Sequence, residues 1–192
     1  MEIYKLTHKK SSSIVKWIFI IGIIEFVFWI VINHLVPDSY YKVYDDLNLH
    51  GFLNVFMITH YSIVAVFLLY FYKNYKRIST IENTKSLMKK ILKVRKTVNY
   101  YVFYNLASAF LISMVINFTM FSDTEKLEMV MNPKNLTMDL SQVMTITIIS
   151  QLIALTLILI LMWLFYRLIY GVLLRKLNKN YKELVKLESL TN

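Results

Sequence analysis

Residues Ile14–Val36 read IVKWIFIIGIIEFVFWIVINHLV. Between Lys16 and His34 the one charged side chain is Glu25, at the centre of the run. About 20 apolar residues suffice for a helix to cross the hydrocarbon core of a bilayer. A carboxylate at that depth costs roughly 3 kcal/mol even on the most lenient insertion scale. The stretch therefore packs against a partner inside a bundle or lines something wet. At helical spacing Ile18, Gly22, Glu25, Trp29, Ile32 and Asn33 share a face. Gly22 admits a close neighbouring backbone, so this face is expected to turn inward.

Three further runs, Leu47–Tyr72, Thr97–Ser122 and Leu140–Tyr166, contain no Asp, Glu, Lys or Arg. The 192-residue chain is 57% hydrophobic, with a mean hydropathy of +0.49. These values lie outside the soluble range. They predict an all-α integral membrane four-helix bundle in a single domain, 1–192, with spans at about 14–36, 51–72, 99–121 and 143–170. A closed barrel would need many short alternating segments, and none is present. The N-terminal run is too long for a signal peptide, carries Glu25 and lacks a small-x-small cleavage site, so it reads as a retained helix. The absence of cysteine removes thiol redox chemistry and Cys metal sites.

Charge fixes the expected orientation. Residues 1–16 hold four cations, the second connection (Lys73–Lys96) nine and the segment from Arg167 onward six, against one in the first connection and two in the third. The positive-inside rule places both termini and the middle connection in the cytoplasm of an inner membrane. Ser79 and Glu82 have capping-box spacing. Beyond them Ile81, Thr84, Met88, Ile91 and Leu92 recur at helical intervals. This predicts one helix from about Thr80 through Phe121, whose basic first part, about 80–98, is an amphipathic element at an anionic inner leaflet. Lys85, Lys89, Lys90, Lys93, Arg95 and Lys96 are the candidate cytoplasmic interaction surface, toward lipid, a protein partner or a second copy of the chain. No nucleic-acid motif accompanies this charge. The tail Asn178–Glu188 is a second basic amphipathic stretch, with Tyr181, Leu184 and Leu187. Pro37–His50 reads as an interfacial loop or short surface helix. Ser122 and Glu125 open a second candidate short helix.

The polar residues of the spans form a candidate intramembrane site: Glu25, His60, Asn54, Asn105, Ser113 and Gln151. Asn105, Ala109, Ser113 and Asn117 follow one another at steps of four, a small polar stripe suited to helix contact. Thr147, Ser150, Gln151 and Ala154 form a patch on the fourth span. His60 lies about 3 Å from the depth of Glu25 on the next, antiparallel helix, which makes a Glu25–His60 hydrogen bond or ion pair the leading expectation. His8, His34, His50 and His60 are spread over too much depth to converge on one metal. No catalytic residue, cofactor or metal site is predicted, and no nucleophile–base arrangement supports an enzyme.

The stretches IVKWIFIIGIIEF (14–26) and TKSLMKKILKVRKTVNYYVFYN (84–105) resemble a family of bacterial four-helix membrane proteins of flavobacteria-like genomes. The resemblance covers most of the chain. Some members carry the label β-carotene monooxygenase, to which the histidine placement adds nothing. Some have a longer soluble segment ahead of the part matching EIYKLTHKKSSSIVKW, which implies a cytoplasmic partner-binding arm. Two functions follow as expectations. The first is a membrane-anchored adaptor or regulator presenting the basic segments. The alternative is a small transport or channel subunit using Glu25 and His60.

Overall fold

The computed structural model describes residues 2–79, 83–122, 125 and 139–191. Among them the regular structure is entirely helical: α1 (Glu2–Leu35), α2 (Asp38–Asp46), α3 (His50–Ser79), α4 (Thr84–Phe121) and α5 (Leu140–Thr191). Four of these, α1, α3, α4 and α5, are long and apolar enough to cross a membrane. The short helix expected after Ser122 lies outside the described residues.

The helices outrun the apolar spans. α1 begins at Glu2, and α5 continues unbroken through the basic tail, about 78 Å at 1.5 Å per residue. No proline interrupts either. The break between α3 and α4 differs from expectation. α3 runs to Ser79, and α4 starts at Thr84 with Asn83 as its cap, the Lys85 N–H donating to Asn83 Oδ1 at 2.8 Å.

The chain divides into two compact units. The first comprises Met1–Asn33, Ser62–Phe103 and Phe165–Asn192. Here α1 lies antiparallel to α5. Thr7 Oγ1 donates to Glu183 Oε2 (3.4 Å), Asn180 Nδ2 to Ser11 Oγ (3.0 Å) and Tyr166 Oη to Glu25 Oε1 (2.6 Å). As one number climbs the other falls in step, so the register holds over about 27 Å. α4 meets α5 in the same way, through Lys85–Glu188 (3.3 Å) and Arg95 Nη1 donating to Asn178 Oδ1 (2.7 Å). His8 Nε2 reaches the Ile78 carbonyl at 2.6 Å, occupying one of the orphan acceptors at the C-terminus of α3. The start of α1, the end of α3, the start of α4 and the end of α5 thus share one end of this unit.

Its core follows a steady seam. Thr7, Ser11, Val15, Ile18, Gly22 and Glu25 are the buried positions of α1. On α4 they are Leu87, Ile91, Val94, Val98 and Tyr101. Steps of three and four are the heptad signature of helices packed knobs into holes. Ile78, Leu177 and Leu184 complete the basic end, and none of them is exposed. The basic segment of α4 is therefore not a surface amphipathic helix as expected, because its apolar face is consumed by the bundle. The buried face is also rotated from the expected one: Leu87 and Val94 are inside, and Leu92 is 43% exposed.

The second unit comprises His34–Tyr61 and Tyr104–Leu164. Its core centres on Leu47, Leu49 and Met120, with Leu53, Val115, Ile116, Phe121 and Met144 packed around them. Of the loop or short helix expected in the first connection, the structure has the helix, α2, and a Schellman turn delivers the two leucines. The Leu49 N–H bonds the Tyr44 carbonyl (2.8 Å) and the Asn48 N–H that of Asp45 (2.9 Å), while Asn48 takes φ 55°. Asparagine tolerates this left-handed position. His50 Nδ1 pairs with Asp45 Oδ1 at 2.8 Å.

Burial runs opposite to a water-soluble pattern. In the most apolar stretch of α1 22% of residues are buried, and in that of α5 none. The charged ends hold many of the fully buried side chains.

Candidate functional site

Glu25 is placed by the α1 seam, one turn after Gly22, and is only 5% exposed. Both carboxylate oxygens accept hydrogen bonds from α5: Oε1 from Tyr166 (2.6 Å) and Oε2 from Tyr170 (3.0 Å). Tyr101 of α4 directs a third hydroxyl at the same group. The three rings enclose it, with centroids 5.9 to 6.2 Å apart. Phe67 and Phe71 meet Tyr101 edge-on at 5.5 and 5.6 Å. Such edge-to-face contacts suit the ring quadrupoles. A carboxylate that keeps several donors can remain buried; an orphaned one cannot. The arrangement ties α1, α4 and α5 together at one level.

Gly22 makes the close approach possible. A Cβ there would lie 2.8 Å from Leu68 Cδ2, 3.6 Å from Phe71 Cδ2 and 3.7 Å from the Tyr170 hydroxyl. The tightest neighbour is a flexible side-chain tip, and alanine is the better helix former by about 1 kcal/mol. Gly22→Ala is expected to stay within about 1 kcal/mol of the parent. Gly22→Phe has no room and is expected to lose about 3 kcal/mol or more. Thermal unfolding of the two purified variants checks the contrast, and equal midpoints would discard the close-approach account.

The pairing expected between Glu25 and His60 is replaced by these tyrosines. His60 belongs to the second unit, where its ring stacks on Tyr104 (5.5 Å, 16°) and Phe56 (6.2 Å, 12°). Its Nδ1 is buried without a hydrogen-bond partner. In the same unit Asn105 is buried, Ser113 is half-buried, and the Ser113 carbonyl accepts from Asn117 Nδ2 at 2.7 Å. Gln151 donates to Met120 Sδ (3.6 Å) and leaves its buried Oε1 unpartnered. Asn54 is exposed, as are Ser150 and Ala154 of the fourth-span patch, whereas Thr147 is buried. Of the six candidate residues, Glu25 belongs to the first unit and Asn54, His60, Asn105, Ser113 and Gln151 to the second. Among the described residues no group of His, Asp or Glu is arranged to hold a metal ion.

Residues 1–189 match the family described as a domain of unknown function, DUF8845. The chain belongs to this family. No curated protein and no solved structure matches it. The DUF8845 match covers the residues of both the Glu25–tyrosine cluster and the basic ends of the bundle.

In this DUF8845 chain the candidate basic surface is partly spoken for. Lys85 and Arg95 are tied to α5 through Glu188 and Asn178, and Lys96 sits 5.5 Å from the Tyr100 ring centroid in a cation–π contact. Lys89 and Lys93 are exposed and Lys90 half-buried. Sequence reading missed the tyrosine partners of Glu25. Tyr166 and Tyr170 are spaced i, i+4 and so share a helix face, the one local signal available.

Proposed function

We propose that the chain is a multi-pass protein of a bacterial inner membrane, with both termini and the α3–α4 connection in the cytoplasm, acting as an anchored adaptor or regulator. The observation that carries this reading is the inversion of burial. Lipid gives apolar helices no hydrophobic reason to bury their faces against each other, whereas water does. Spans left bare beside charged ends with a dense core fit helices that leave a bilayer and continue as a bundle in water. In water alone the exposed apolar area of α5 would be an aggregation surface. The cation distribution and the family resemblance support the orientation and the bacterial setting.

The adaptor role rests on what the bundle leaves outward, the exposed Lys89 and Lys93 with Lys90 beside them. A transport role would require an ion to reach Glu25, whose oxygens hold tyrosine hydroxyls. Photo-cross-linking residues at positions 89 and 93, activated in native membranes, test the proposal. A discrete protein adduct is expected, lost when Lys90 and Lys96 are changed to Gln and retained in Glu25→Gln. Absence of any protein adduct, together with proton flux in proteoliposomes that Glu25→Gln abolishes, would replace the adaptor reading with transport.

A further inference from the structure

Leu69, Tyr72, Lys73, Lys76 and Arg77 line a groove of about 530 Å³ on the last turns of α3. Their spacing, i, i+3, i+4, i+7 and i+8, puts all five on one helix face. Tyr72 closes a charge-free run and Lys73 opens a basic one, and α3 holds no acidic residue from His50 to Ser79. The groove is apolar at one end, where Leu69 is 67% and Tyr72 46% exposed, and cationic at the other. The Tyr72 ring is positioned by Phe19 of α1 at 5.4 Å.

We propose that this groove is a discrete binding site for the phosphate headgroup of an anionic phospholipid. The inference rests on the membrane reading given above. Arg77 supplies the planar fork that binds a phosphate bidentately, with Lys73 and Lys76 as point charges beside it. Leu69 and Tyr72 lie where the first acyl carbons and the glycerol would run. Inorganic phosphate would have no use for that apolar end, and the position of the groove where a charge-free run meets a basic one favours a lipid as the phosphate carrier. Lys90 adds a second observation. Partial desolvation first, then the neighbouring charges of Arg77 and Lys93, hold its amine below the usual lysine range. Cations crowded in this way are relieved by a bound anion.

The test uses the full chain purified in detergent with mixed phosphatidylglycerol and phosphatidylcholine, read by native mass spectrometry. One phosphatidylglycerol is expected to stay bound in preference to phosphatidylcholine, and inorganic phosphate is expected not to displace it. Lys73→Gln/Arg77→Gln should weaken retention by at least about tenfold, since each cation near an anionic lipid contributes measurably. Lys182→Gln/Lys186→Gln, two exposed lysines of α5, removes the same charge elsewhere and should leave retention within about twofold. Equal losses in both pairs, or no preference for phosphatidylglycerol, would overturn the site. Displacement by inorganic phosphate would reassign it to a free anion. Carbonate washing of membranes separates the two levels: a chain that washes off brings down the membrane reading and the site together, and a retained chain without lipid preference brings down the site alone.

Discussion

Tyr166→Phe/Tyr170→Phe is expected to lower the unfolding midpoint of the detergent-solubilised protein by on the order of 10 °C. The two hydroxyls are the donors to Glu25 Oε1 and Oε2. Removing them leaves a buried carboxylate with Tyr101 alone, and breaking one side of a buried charged network costs about 3–5 kcal/mol. For a chain of this size each kcal/mol shifts the midpoint by about 2–4 °C. The same reasoning gives the triple variant its sign. Adding Glu25→Leu to the tyrosine pair removes the stranded group, so the triple should recover most of the loss. Deleting both partners of a buried hydrogen bond is far less harmful than deleting one. Glu25→Leu alone should fall between, because it strands the buried hydroxyls of Tyr166, Tyr170 and Tyr101. A triple variant no better than the double would mean that the carboxylate does not depend on these tyrosines.

Ile91→Ala should cost about 2–5 kcal/mol, the range for emptying a packed aliphatic site. Leu92→Ala should change stability by no more than about 0.5 kcal/mol, as surface changes do. The neighbours differ only in facing: Ile91 is fully buried and Leu92 is 43% exposed. Melting curves for the two variants decide between a bundle and a helix lying on a membrane surface. On a surface both residues would face the lipid, and the two substitutions would cost alike.

The apolar spans were legible because absence of charge over more than 20 residues is a local property of the chain. So was the special standing of Glu25, buried on the α1 seam. The extent of the bundle was not. Thr7 and Ser11 sit in a basic, polar stretch that reads as a tail, yet both are buried against α5. Small hydroxyl residues at seam positions carry no hydrophobic signal, so the register becomes visible only with the partner helix in place. On α4 the choice between the Leu87 face and the Leu92 face turned on an offset of a few residues, which composition does not fix. The partner of Glu25 was the hardest to read. Depth alone favoured His60, but the hydroxyls that bind it come from 141 and 145 residues away. Nothing local couples a carboxylate to a tyrosine at that distance.

The seam of α1 and α4 constrains how this chain can vary through descent. One residue gained or lost inside a helix turns everything beyond it by about 100°. In α1 such a slip between Ser11 and Gly22 would keep the basic end in place and swing Glu25 away from its tyrosines. Steps of seven preserve the seam, because the heptad repeats there. Within the long helices length should therefore drift only in whole heptads. A set of relatives whose helices differ by single residues, with no compensating change in the partner helix, would contradict the packing described for the first unit.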